Sequence, residues 1–174
     1  MPLVPSESQA IYVGIDPGSS GGLAALHNRP SCVSMPDTDR DLWDWISQTA
    51  DSLTPVFAVI EKVSGWTGGN KNKSGAPYAH EGAPGSAMFK FGTSYGGLRM
   101  ALVAAGIPFE EVVPRTWQKA LGITPRAKTE SKGQFKNRLK AKAQQLFPSE
   151  KVTLATADAL LIAEYCRRKQ EGKL

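Results

Sequence analysis

The run "PVFAVIE", residues 55–61, narrows the fold more than any other stretch of this 174-residue chain. It is continuously apolar, rich in β-formers and too short for a buried helix, so it reads as an inner strand covered on both faces. A strand of that kind belongs to a sheet with parallel neighbours and helices on either side. It ends on an acid, Glu61. The stretch "IYVGIDPGSSGGLAAL", residues 11–26, repeats the theme. Ile11, Val13 and Ile15 alternate with Tyr12 and Gly14, Asp16 closes the run, a Pro/Gly/Ser turn interrupts it, and residues 23–26 resume it. That is the pattern of a β-hairpin with an acid at its mouth.

The rest of the chain supplies the other layers. "SCVSMP", residues 31–36, predicts a third short strand, and "DRDLWDWISQTADSL" a helix with Leu42, Trp45, Ile46 and Thr49 on one stripe. Residues 62–86 are rich in Gly, Ser, Asn and Lys, and a loop of that length is usually functional or disordered. A helix is expected over 86–105 and a strand within "IPFEEVVP", residues 107–114. A short helix opened by Pro114 follows, then a longer one, "SKGQFKNRLKAKAQQLF", in which Phe135, Leu139, Ala143 and Leu146 recur at helical spacing. "TLATADALLIAEYCRRK" reads as a last amphipathic helix. The prediction is a disordered polar tail over 1–10 and a single α/β domain over 11–174. Its sheet is mixed and five-stranded, an antiparallel meander plus parallel strands, flanked by helices.

Charge is unevenly spread along the chain. Residues 1–61 hold eight acids against two arginines, whereas residues 115–142 hold nine bases against Glu130 alone. A concentrated basic segment is the electrostatic footprint of a phosphate-backbone binder, although a lysine-rich solvated helix has the same composition. Cys32 and Cys166 form no CxxC pair, and no signal peptide or membrane-length apolar run is present, which points to a cytoplasmic protein without a membrane partner. "GGNKNKSG" fails the P-loop pattern because Asn72 precedes Lys73 and Ser74, so no nucleotide cofactor is expected. His27 and His80 have no Cys or His partner at metal spacing.

Three acids stand where burial or a strand end is predicted. Asp16 and Glu61 end two strands that, if adjacent and parallel, project both carboxylates from one edge of the sheet. Asp158 shares a helical face with Leu154, Leu161 and Tyr165. A lone buried carboxylate can be neutralised by a proton or paired with Arg or Lys. Three that converge repel one another, and raised pKa values or a bound cation relieve the repulsion. Oxygen ligands without clustered His or Cys suit Mg²⁺ or Mn²⁺. Two such ions ~4 Å apart activate a water and stabilise the leaving oxygen of a phosphodiester.

"YVGIDPGSSGGLA", "VFAVIEKVSG" and "TADALLIAEY", in this order and spacing, resemble the metal-site segments of the RuvC-type Holliday junction resolvases of the RNase H-like superfamily. "VVPRTWQKALGI" and the lysine-rich segment after it resemble the phage and chloroplast branches of that group. The likeness runs from residue 11 to about 168. It implies an RNase H-like fold, a bacterial or phage-encoded enzyme, and Asp16, Glu61 and Asp158 as metal-binding, catalytic acids. It also implies a homodimer that cuts two strands of branched DNA, a four-way junction, symmetrically, leaving 5′-phosphate and 3′-hydroxyl ends. One position departs from the pattern: family members usually carry a fourth metal ligand one helical turn before the last aspartate, and here it is Ala155. Fewer protein ligands completed by water and phosphate, substitution by Glu150, and a weakened or altered nuclease all remain open.

Candidate contacts to DNA follow from residue type. Trp66, set among glycines, suits stacking on an unpaired base, worth ~1–3 kcal/mol. Phe89 and Phe91 suit either stacking or helix packing. Lys71 and Lys73 in the loop, and Arg115, Lys119, Lys128, Lys132 and Lys136 later, are candidate phosphate contacts, with Lys128 and Lys132 also placed to offset charge at the scissile phosphate. Three other readings stand beside the resolvase: an RNase H-like nuclease on a hybrid or flap, a catalytically silent junction binder, and an actin-like ATPase. The last is disfavoured because the chain is short for two lobes and lacks a second Asp-Gly phosphate loop.

Overall fold

The computed structural model describes residues 10–51, 53–63 and 85–174. Its elements run β1 (Ile11–Asp16), β2 (Gly22–Leu26), β3 (Ser31–Ser34), α1 (Asp39–Ala50), β4 (Val56–Glu61), α2 (Gly85–Ala104), β5 (Phe109–Val112), α3 (Pro114–Ala120), α4 (Lys132–Leu146) and α5 (Ala157–Gln170). The strands form one sheet in the order β3-β2-β1-β4-β5. β1, β2 and β3 pair antiparallel, and β1, β4 and β5 pair parallel. This is the mixed five-stranded sheet that the apolar runs predict. Among the described residues no helix is long and apolar enough to cross a membrane.

Helices cover both faces, and the parity of each strand sorts its side chains between them. Ile11, Val13 and Ile15 of β1 and Val56, Ala58 and Ile60 of β4 pack with Leu42, Ile46, Leu98 and Leu102 of α1 and α2. Tyr12 and Val59 face the other way, toward Trp117 of α3, Leu139 and Ala143 of α4, and the core of α5. β1 is therefore buried along its whole length. Ala10, read from sequence as the last residue of the tail, is buried in the α5-side core instead.

α5 departs from its sequence reading in a way that matters for the site. It starts at Ala157, after a turn in which the Thr153 and Thr156 hydroxyls accept each other's backbone N–H. Leu154 therefore lies ahead of the helix and is exposed, not part of its buried face. From Ala157 to Cys166 every residue is buried, because the sheet covers one side of α5 and α3 and α4 the other. Gly14 permits this: a Cβ there would stand 2.2 Å from the Ala159 carbonyl oxygen and from the Ala163 nitrogen. The backbone of β1 and that of α5 touch directly, and no residue but glycine fits between them.

Candidate metal centre

The parity that places Gly14 under α5 also places Asp16 on that face, two residues further along β1. β4 runs beside β1 with Ile15 opposite Ile60, so the next positions outward are Asp16 and Glu61 on neighbouring strands, ~5 Å apart in the sheet. Glu61 shares parity with Val59, again toward α5. Asp158 lies in the first turn of α5, where the helix dipole favours a negative charge. Three acids separated by most of the chain thus meet at one end of the sheet.

A lysine meets them there. Lys136 of α4 donates to Asp158 Oδ2 at 2.7 Å. The second oxygen, Asp158 Oδ1, is buried without a hydrogen-bond partner among the described residues. Glu61 Oε2 accepts a 3.0 Å hydrogen bond from the indole N–H of Trp117, a fully buried side chain on α3. At Asp16 the hairpin turn folds tightly back: Gly18 has φ +117° and its carbonyl accepts from Gly21 N–H, while a Cβ on Gly21 would lie 2.1 Å from the Asp16 carbonyl oxygen.

Burial and mutual repulsion dominate the electrostatics. Burial first, then the charge of Asp158, lifts the Asp16 carboxyl to about 6, with Lys136 pulling the other way. Glu61 is pushed up to about 7 by burial and by Asp16, and Trp117 and Lys136 hold it lower than it would otherwise stand. Burial opposes the charge on Lys136, yet its hydrogen bond to Asp158 and the charges of all three acids outweigh burial and keep its pKa above the usual lysine value. Glu164 shows how a buried acid looks when its own protein satisfies it: it is fully enclosed in α5 and held by Arg167 and Arg168.

The donor set, carboxylate oxygens only, fits a hard divalent cation, and the bare Asp158 Oδ1 is an oxygen for which the described residues supply no donor. Among the described residues no three acid, His or Cys side chains are drawn together into ligating positions, and the Lys136 ammonium stands on Asp158. Ala155 brings only a methyl group to the turn beside Asp16: its carbonyl lies 2.8 Å from where a Cβ on Gly22 would be, and Gly22 pairs with Asp16. The charge of Glu150 acts on Cys32 of the edge strand β3, whose thiol also meets the Thr156 hydroxyl at the start of α5.

Solved structures supply the comparison. The chain matches Thermus thermophilus RuvC in complex with Holliday junction substrate with a TM-score of 0.57 at 15% identity, covering 94% of this chain and 97% of that one. A second T. thermophilus RuvC structure matches at a TM-score of 0.56 and 16% identity over the same shares. The chain has the fold of RuvC. No protein-family model matches the sequence and no curated protein does.

Around the acids of this RuvC fold, the expected DNA contacts fall into three groups. Arg115 and Lys119 are exposed on α3 on either side of Trp117, and they line a hollow that shares Val113 with the one reaching Glu61. Lys128 is exposed in the loop before α4 and Lys132 opens that helix one turn from Lys136. Of the remaining bases there, Arg126 and Arg138 fasten the loop through Glu130 and Thr124. Phe91 is half-buried, stacked on Tyr95 with ring centroids 6.3 Å apart, its edge 3.6 Å from where a Cβ on Gly18 would sit. Phe89 is 77% exposed. Trp66, Lys71 and Lys73 lie outside the described residues.

Trp117 and the position of Lys136 are what sequence reasoning missed. A tryptophan on a Pro-initiated turn after a strand parallel to β4 is the available signal, since a buried indole N–H seeks an acceptor and Glu61 ends the neighbouring strand. Nothing in the charge run of α4 distinguishes Lys136 from Lys132 or Lys140.

Proposed function

We propose that this protein is a divalent-cation-dependent, structure-selective endonuclease that resolves four-way DNA junctions by paired, symmetric phosphodiester hydrolysis. The observation that carries the reading is the convergence of Asp16, Glu61 and Asp158, with Lys136 among them, at one end of the sheet of a RuvC fold. The RuvC of T. thermophilus, in complex with Holliday junction substrate, supports the choice of DNA.

In this mechanism Asp16, Glu61 and Asp158 would hold Mg²⁺ or Mn²⁺. When bound there, such a cation would supply Lewis acidity toward a phosphoryl oxygen and an activated water. Trp117 fixes the orientation of Glu61 by occupying Oε2. The tight Gly18–Gly21 turn beside Asp16 carries no side chain at either end, so a phosphate backbone can approach closely. Arg115, Lys119, Lys128 and Lys132 are assigned to phosphates, and Trp66, Lys71, Lys73 and Phe91 to the DNA near the crossover. Each neutralised phosphate steepens the salt dependence by about one unit of log-log slope.

A two-fold dimer is assigned through α2. Phe89, Gly92, Gly96, Met100 and Val103 form one exposed stripe, and a Cβ on either glycine would meet nothing within 4 Å. The stripe is symmetric about Gly96, so a second copy laid antiparallel sets Met100 over Gly92 and Phe89 beside Val103. Met100 then fills the gap at Gly92, the two Gly96 backbones approach at the axis, and Phe89 and Val103 close each end with an apolar contact.

The test is cleavage of a synthetic four-way junction by purified protein in Mg²⁺ or Mn²⁺. Symmetric nicks with linear duplex left intact are expected, and Asp16→Asn should abolish cutting while sparing junction binding. Equal cutting of both substrates refutes the junction reading, and binding without cutting in either metal identifies a silent binder.

A further inference from the structure

We propose that each chain holds a single divalent cation, and that the ammonium of Lys136 is the fixed second positive charge of the site. This rests on the cation-dependent reading above and narrows it.

Asp158 is the residue that divides the work. Its side chain is 7% exposed, and its two oxygens have different fates: Oδ2 is taken by Lys136 at 2.7 Å, and Oδ1 has no donor among the described residues. A buried acceptor left bare costs ~1–3 kcal/mol, more when charged, unless something positive meets it. One oxygen is thus committed to an ammonium built into the protein, and the other is left for a cation from solution. The turn before α5 offers Ala155, whose methyl group cannot ligate.

Charge balance leads to the same count. Three carboxylates and one ammonium leave two negative charges in a site where Asp16 and Asp158 are each less than 10% exposed. One divalent ion neutralises that remainder, whereas a second would leave two uncompensated positive charges in a desolvated pocket before any DNA arrives. Lys136 is held for this role from two sides. It stands on α4 one turn before the buried Leu139, and α4 packs along α5, so the chain of Lys136 spans from one helix to the acid on the other. It thus offers a positive charge that needs no binding equilibrium, set beside the solvent-supplied one.

The experiment is a Mn²⁺ titration of the full chain without DNA, followed by isothermal calorimetry and by the electron paramagnetic resonance of free and bound Mn²⁺. The wild type is expected to bind one Mn²⁺ per chain with a spectrum free of Mn–Mn dipolar broadening. Lys136→Gln should tighten the first equivalent by about tenfold or more, because an opposing charge in direct contact with a ligand is gone. Lys136→Arg, which keeps the charge, should stay at the wild-type affinity and shows that the change is not a folding defect. Two equivalents in the wild type, or identical affinity in Lys136→Gln and wild type, overturns this inference and leaves the cation-dependent nuclease standing. No Mn²⁺ bound by the wild type at millimolar concentration overturns both.

Discussion

Glu61→Gln should make the cation-free protein more stable at pH 8, although it removes a residue assigned to catalysis. Glu61 rises from the ordinary 4.5 to about 7 on folding, chiefly through burial and the nearby charge of Asp16. A folded-state pKa above the unfolded one means that stability is fully present below pH 4.5 and is lost as pH climbs through about 7. The rise corresponds to about 3 kcal/mol, since each tenfold change in proton affinity is about 1.4 kcal/mol. Glutamine has the shape of the neutral acid, and its carbonyl can still accept from the Trp117 indole, so the variant keeps at every pH the stability that the wild type loses. For a domain of this size about 3 kcal/mol moves Tm by ~6–12 °C. The assay is thermal unfolding followed by circular dichroism in EDTA at pH 4 and pH 8. The variant should melt higher at pH 8 and alongside the wild type at pH 4. Saturating Mg²⁺ at pH 8 should reverse the order, because only the intact site gains by binding. A variant no more stable than wild type at pH 8 in EDTA, or equally advantaged at both pH values, would refute the argument that the acids are held together against their own repulsion.

Two further substitutions probe how the site is positioned. Gly14→Ala should cost about 3 kcal/mol or more in urea unfolding, because the added methyl overlaps backbone atoms of α5 that no side-chain rotation can move. Cutting should be lost even where this variant remains folded, since Asp158 rides on the displaced helix, and a midpoint close to wild type would contradict the contact. Trp117→Phe removes the hydrogen bond that restrains the pKa of Glu61, so the pH–rate profile for junction cleavage should shift to higher pH. An unshifted profile would assign Trp117 to packing alone.

What could be read before folding was whatever depends on local pattern. "PVFAVIE" and "IYVGID" announce strands through their apolar runs, and once β1 and β4 are taken as parallel neighbours, parity alone points Asp16 and Glu61 to the same face. The error at Leu154 has a local cause of another kind: helical spacing extends backward without limit, whereas the paired Thr153 and Thr156 hydroxyls decide where α5 begins. Lys136 was legible only as one base in a run, because its distinction is tertiary. It comes from α4 lying along α5 at a height that brings this lysine, and not Lys132 or Lys140, to Asp158. Glu164 makes the complementary point, since its spacing from Arg167 and Arg168 spells out its neutralisation within one helix, but its complete burial depends on the layer above it.

The direct seat of α5 on β1 also has a consequence in time. β1 and β4, with two of the acids, leave the ribosome well before the third, and β1 at the middle of the sheet has its α5-side face bare until the last helix is made. Domains begin to fold during synthesis as soon as their parts emerge. A nascent chain of this protein can therefore pair its strands before it can complete its acid cluster, which waits until α5 closes over Gly14.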